Sequence, residues 1–186
     1  MHRSHKFQHQ TAFLADEAVR LFDAGDLVQA RKVLNRCLRR DPDHVGALEL
    51  QARLQWRCGE LEHLLSTLSR LLELNPYEPG YHYLRGSALQ CQGRFGEALT
   101  SYARCKHMGS SAHAKDAEEA IEALRECQLQ ALGQLLRDDL VFRSHYAQDP
   151  QAACAMVGIE LREEPSQKIV YPSAEASMAM AWSRPS

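Results

Sequence analysis

The stretches "RRDPDHVGALEL" (residues 39–50) and "ELNPYEPGYHYL" (residues 73–84) share one order of residues: an acid or amide, a proline, then a fresh helix-like run. Pro42 and Pro76 stand 34 residues apart. Proline cannot sit inside a helix without removing a hydrogen bond, so two prolines at such an interval read as punctuation between like units. The next step of the same length falls in "KHMGSSAHAKDA" (residues 106–117) and finds Ser110 instead.

If the interval is a repeat, units begin at Thr11, Val45 and Pro79, and the register can be tested elsewhere. The eighth position holds Ala18, Ala52 and Gly86, all small, as two helices crossing closely require. The fifteenth holds Gly25, Gly59 and Gly93, where glycine ends a first helix with a positive φ. The twentieth holds Ala30, Leu64 and Ala98, the twenty-fourth Leu34, Leu68 and Tyr102, and the twenty-seventh Cys37, Leu71 and Cys105. Within the first unit, Ala18, Leu21 and Phe22, then Ala30, Val33, Leu34, Cys37 and Leu38, follow the i, i+3, i+4, i+7 spacing of an amphipathic helix. Asp26 is placed to cap the second helix, and Asp43 and Asn75-Pro76 to mark the step to the next hairpin. The expected helices are 9–24, 27–40, 44–58, 61–74, 78–92 and 95–107.

These positions resemble the tetratricopeptide repeat (TPR) family, with its helix–turn–helix unit of about 34 residues. The third unit carries the resemblance best, in Leu84, Gly86, Leu89, Gly93, Phe95, Ala98 and Tyr102. The second departs at Leu64, where alanine is usual, and the first at Leu14, where a large aromatic is usual. The resemblance implies an all-α, TPR-type α-solenoid of three helix–turn–helix repeats over residues 11–110 (units 11–44, 45–78 and 79–110), after an N-terminal extension of residues 1–10.

Beyond Ser110 the pattern changes. Residues 111–137 keep helical spacing at Ala117, Ala120, Ile121, Leu124, Leu132, Leu135 and Leu136 but have no turn glycine, Cys127 standing in its place. One long capping helix is expected, with Ser111 as its N-cap and Asp116, Glu118, Glu119, Glu122, Arg125 and Glu126 as a polar outer side. Residues 138–164 read as a short helical segment of two helices. Asp149-Pro150 starts the second of them and Gly158 stops it, and Leu140, Val141, Phe142, Tyr146, Ala153, Met156, Val157 and Ile159 are available to pack on the long helix. Residues 165–186, rich in Pro, Ser and Ala, read as a disordered tail in which "KIVYP" and "MAMAW" are candidate docking segments.

Net charge is −2 and the isoelectric point is near 6.5, which gives no general attraction to nucleic acid, and no apolar run is long enough for membrane insertion. The start of the chain lacks the apolar core of a signal peptide, so a cytoplasmic location is expected. The basic cluster Arg31, Lys32, Arg36, Arg39 and Arg40 reads as a solvated helix face. The six cysteines lack paired spacing and read as small buried hydrophobes. His2, His5 and His9 share helical spacing but lack carboxylate or thiolate companions, so neither a metal nor any cofactor is expected. No phosphate loop, nucleophile elbow or zinc-protease motif is present, and the expectation is a protein that is not an enzyme.

Function is then sought on the face lined by the first helix of each hairpin, which the TPR resemblance implies is concave. The residues it places there as partner-binding are Phe22, Glu49, Arg53, Trp56, Arg57, Tyr83 and Gln90. Trp56 between two arginines can seat an apolar anchor while the guanidiniums fork onto a carboxylate, and Phe22 and Tyr83 would extend an apolar floor. The competing place for Trp56 is the core between units. Chaperone-binding members of the family use a basic clamp at positions held here by Ala15, Val19, Leu50, Gly80 and Leu84, so that specificity is not implied. The expected role is a scaffold or adaptor holding a protein or peptide partner, with a small TPR secretion chaperone for a specific translocator or effector client as the alternative. Oligomeric state is open.

Overall fold

A computed structural model describes residues 2–108 and 112–159, with side chains from residue 10 onward. Among the described residues there are nine α-helices: α1 (His2–Asp23), α2 (Leu27–Arg40), α3 (Val45–Arg57), α4 (Leu61–Leu74), α5 (Pro79–Cys91), α6 (Phe95–His107), α7 (Ala112–Asp138), α8 (Leu140–Gln148) and α9 (Pro150–Met156). The first six form three hairpins, α1–α2, α3–α4 and α5–α6, stacked in chain order, and α7 packs on α6 and α5. This is the TPR solenoid.

Three glycines make the hairpin turns. Gly25, Gly59 and Gly93 have φ of 83°, 70° and 72°, a region that a Cβ disfavours. At the eighth position the helices of each hairpin meet. Ala18 is fully buried and Ala52 is 2% exposed, while a Cβ on Gly86 would lie 2.6 Å from two ring carbons of Tyr102. Asp26 caps α2 by accepting from the Gln29 N–H at 3.0 Å, as its position suggests. The step into α3 follows Asp43, as expected. His44 is the cap, its Nδ1 accepting from the Ala47 N–H at 3.1 Å, because the Asp43 carboxylate turns to Arg70 of α4 at 2.8 Å. Glu78 caps α5 ahead of Pro79.

Two apolar clusters run through the stack. The first unites Leu14, Ala18, Phe22, Val33, Leu34, Cys37, Leu50 and Leu54 across the first two units. The second unites Leu48, Leu64, Leu68, Leu71, Tyr81, Leu89, Tyr102 and Cys105 with Ala117, Ile121 and Leu124 of α7. The long helix thus covers the last hairpin, while Asp116, Glu118, Glu119, Glu122 and Glu126 face solvent and Arg125 is half-buried.

A third cluster joins the end of α7 to α8 and α9 through Leu132, Phe142, Tyr146, Ala153, Cys154 and Ile159. Asp149 caps α9 with Pro150 in its first turn, and Gly158 (φ 73°) follows the helix. Only half of the apolar residues expected to pack here do so. Leu140, Val141, Met156 and Val157 are exposed, because helices of nine and seven residues can turn only one stripe inward. The cysteines also divide: Cys37, Cys105 and Cys154 are buried, but Cys58, Cys91 and Cys127 are exposed. Two of the exposed three close a first helix, where the chain must return to solvent to turn.

Helix α1 begins at His2, seven residues before the start expected from apolar spacing. Residues 2–10 contain no glycine or proline, and extending a formed helix fixes one residue per hydrogen bond gained. Ser111, the tail 165–186 and its two candidate docking segments lie outside the described residues.

Candidate partner-binding face

The side chains expected to bind a partner come mainly from one stripe of α3. Glu49, Arg53 and Arg57 are spaced at i, i+4, i+8, with Trp56 beside the last two, so they share one side of the helix. All four are exposed. Trp56 is 39% exposed, enough to leave a face of the indole for contact and too much for the core position that competes with this reading.

Phe22, at the end of α1, meets the two arginines. The Arg53 guanidinium carbon stands 4.8 Å from the ring centroid and that of Arg57 5.1 Å. A cation over an aromatic face at such distances contributes about 0.5–1 kcal/mol at an exposed site. Phe22 is itself 5% exposed and packs within the first apolar cluster. It is therefore not an open floor for a ligand, as the sequence suggests, but a covered ring that holds two cations. The reason is stacking: the second hairpin lies over the end of α1 and its arginines close the ring off.

Neither guanidinium has a hydrogen bond or ion pair among the described residues, a state they share with most of the described arginines, although Arg31, Arg70, Arg94 and Arg125 each hold a carboxylate. Two carboxylates stand close to the pair in sequence, and each has another hydrogen-bond partner. Glu49, four residues before Arg53, accepts a short hydrogen bond from the Tyr81 hydroxyl of α5. Burial and this carboxylate push the Tyr81 phenol well above its ordinary range, so it remains the donor. Glu60, three residues after Arg57, takes both ends of the Arg31 guanidinium at 3.0 and 2.7 Å. That bond holds Glu60 below the usual carboxylate range.

Tyr83 and Gln90 belong to a second group, around Tyr102. The Tyr83 ring lies 5.7 Å from Tyr102, tilted by 51°, and stacks on His113 of α7 at 5.8 Å and 22°. Tyr102 donates to the Gln90 side-chain oxygen at 2.8 Å, so Gln90 is half-buried and serves the crossing of α5 and α6. The structure thus joins Phe22, Arg53 and Arg57 directly, aligns Glu49 and Trp56 with them, and sets Tyr83 and Gln90 at the junction with α7.

Two contributors escape sequence reasoning. Tyr81 anchors the Glu49 end of the stripe, and its aromatic third position was the available signal. His113 lies beyond the last repeat, where no register predicts it. Its Nε2 would stand 3.4 Å from a Cβ placed on Gly80, so the glycine lets α7 approach α5 closely. Two surface recesses, of about 320 and 530 Å³, include none of the seven expected residues. Among the described residues no cluster of His, Cys, Asp or Glu could hold a metal ion, and no helix is long and apolar enough to cross a membrane.

Comparison with known proteins agrees with the architecture. A family model described as the bacterial transcriptional activator domain matches residues 2–126. No curated protein sequence matches the chain significantly. Among solved structures, a mutant O-GlcNAc transferase of Thermobaculum terrenum is 24% identical over 63% of this chain, with a TM-score of 0.55; the match spans 22% of that enzyme. The first TPR of Spaghetti (RPAP3), solved with the HSP90 peptide SRMEEVD, is 17% identical with a TM-score of 0.57, covering 67% of this chain and 94% of that one. The type III secretion translocator chaperone SycD of Yersinia enterocolitica is 14% identical with a TM-score of 0.56, covering 62% and 90% respectively. At these identities the likeness is one of fold.

Proposed function

The chain belongs to the bacterial transcriptional activator domain family, and from that footing we propose that it is a non-catalytic scaffold or adaptor that holds a protein partner on the α1–α3–α5 face. The observation that carries this is the α3 stripe, where an exposed tryptophan stands beside two arginines without partners among the described residues. Tryptophan and arginine are the side chains most often found at the energetic centre of protein interfaces. The family description makes a component of a bacterial transcription-regulating assembly the first partner to seek, in the cytoplasm. With no excess of positive charge, contact through protein is favoured over contact with nucleic acid.

Site-specific photocrosslinking tests this. A crosslinker placed at Trp56 is expected to trap a discrete partner that one at Val28, an exposed residue of α2, does not. Arg53→Glu should remove the product while leaving the helical content unchanged. Equal products from both positions, or a product indifferent to Arg53→Glu, would reject the face.

A narrower reading is a chaperone for one secreted client, and it is motivated by the fold shared with SycD. It requires that co-expression keep a specific client soluble, and a client that precipitates as readily with the chain as without it removes this reading.

A further inference from the structure

Arg53 and Arg57 are cations that the fold forces together. Both guanidinium carbons lie against the Phe22 ring, at 4.8 and 5.1 Å from its centroid, so they are no more than about 10 Å apart. Like charges at such range repel, and a neighbouring carboxylate normally relieves this. Neither carboxylate in sequence range forms an ion pair with them: Glu49, still anionic, accepts from the neutral Tyr81 hydroxyl, and Glu60 pairs with Arg31. Among the described residues no carboxylate forms an ion pair with either guanidinium, so their N–H groups are left open. Contact with a ring uses none of a guanidinium's N–H groups, and those left open fit a carboxylate as a fork.

The spacing states which arrangement of acids fits. Residues i and i+4 of a helix are separated by a rise of about 6 Å. Alternate residues of an extended chain are separated by about 6.6 Å and point to the same side. An extended segment with acids at alternate positions therefore offers one carboxylate to each arginine. Trp56 shares the edge with Arg53 and Arg57 and is 39% exposed, so an apolar side chain flanking the acids can rest on the indole.

We infer that Phe22, Arg53 and Arg57 form an acid-reading subsite, in which the buried ring positions two guanidiniums to take alternate carboxylates of an extended acidic segment of a protein partner, with Trp56 seating a flanking apolar residue. This rests on the partner-binding role proposed for the α1–α3–α5 face and adds the chemistry of the partner. Phe22 is a positioning residue: it touches the arginines, and the arginines touch the ligand. The plainer account is that the two arginines only cover Phe22 and are otherwise solvated, which predicts no preference for acids.

The test uses the full chain, labelled with ¹⁵N, and the peptide acetyl-Leu-Glu-Ala-Glu-Leu-amide beside its Gln-for-Glu isostere. The acidic peptide is expected to move the Arg53 and Arg57 Nε–H and Trp56 Nε1–H signals together and saturably. Binding should weaken by about tenfold or more between about 50 and 500 mM salt. The isostere should bind at least about tenfold more weakly. R53K/R57K retains both charges but loses the planar fork, and should lose about tenfold with an unchanged unfolding midpoint. Phe22→Leu should collapse the separate Arg Nε–H signals and reduce affinity about threefold to tenfold, a readout that general loosening of the core would not give.

Equal binding of both peptides on the stripe would overturn acid reading while leaving the partner-binding face intact. Unchanged affinity in R53K/R57K would overturn the forked geometry. No shift at Arg53 and Arg57 with about 5 mM acidic peptide would overturn the inference outright, whatever photocrosslinking at position 56 traps.

Discussion

Replacing Gly86 with alanine is expected to destabilise the protein although it removes a glycine from the middle of a helix. In an exposed helix the change would stabilise by up to about 1 kcal/mol, since alanine loses less conformational freedom on folding. At Gly86 the new Cβ would stand 2.6 Å from Cδ1 and Cε1 of Tyr102 and 3.0 Å from Cγ, closer than carbon atoms can approach. The ring has little room to retreat. Tyr102 is 2% exposed, and its hydroxyl is fixed to Gln90 at 2.8 Å and near Ser87 at 3.2 Å. Overpacking of this kind costs about 1–3 kcal/mol, so the net loss should be on the order of 1–2 kcal/mol. The first two units show the remedy, because alanine at the eighth position coexists there with leucine at the twenty-fourth, as Ala18 with Leu34 and Ala52 with Leu68. Tyr102→Leu alone sacrifices a hydrogen bond and ring contacts. In the double variant the added methyl should no longer clash, and the two changes should couple favourably by about 1–2 kcal/mol. Urea unfolding followed by far-ultraviolet circular dichroism measures all four corners of the cycle. A Gly86→Ala protein as stable as the parent, or a cycle additive to within about 0.5 kcal/mol, would refute the close-crossing argument.

Acid should loosen the seam between the first two hairpins. Glu60 is held below the ordinary carboxylate range by its bond from Arg31, so the pair stabilises the fold above the unfolded value and loses that contribution as pH falls through the folded one. The melting temperature should decline below about pH 4, and Glu60→Gln should make that decline shallower; coincident acid profiles would refute the assignment. The exposure of the thiols gives a separate check on burial. A maleimide at neutral pH should label Cys58, Cys91 and Cys127 quickly and leave Cys37, Cys105 and Cys154 until denaturant is added, which mass spectrometry of the digest reports. Labelling of Cys37 or Cys105 in the native protein would contradict the packing at the twenty-seventh position.

The hairpins were legible because their signals are local. A positive-φ turn needs glycine whatever surrounds it, so Gly25, Gly59 and Gly93 mark three turns without knowledge of the fold. Small residues at the eighth position report a crossing between helices only one turn apart in sequence, and Gly86 against Tyr102 is its tightest instance. The pattern was less decisive where two local options compete for the same atoms. Asp43 marks the step between hairpins in the sequence, but which residue caps α3 is decided by α4, which brings Arg70 within 2.8 Å of Asp43 while His44 takes the capping role. Leu140 and Met156 look apolar enough to pack, yet α8 and α9 are too short to bury more than one stripe each.

The α3 stripe was legible in part, for a reason that bears on the function proposed for it. Helical spacing alone sets Arg53, Trp56 and Arg57 on one side of α3, but it would equally set Glu49 beside Arg53 as a favourable pair at i, i+4. Read locally, Arg53 is half of a surface ion pair and of little interest, since such pairs contribute little. Contacts made across unit seams change that: Tyr81 draws Glu49 away, Arg31 draws Glu60 away, and Phe22 receives the two cations left behind. Each seam contact spans about thirty residues, roughly one repeat, and no short-range pattern encodes it. Stacking therefore does more than bury apolar surface. It redistributes the carboxylates so that, among the described residues, neither arginine forms an ion pair, and the subsite proposed for an acidic segment rests on the N–H groups this leaves open.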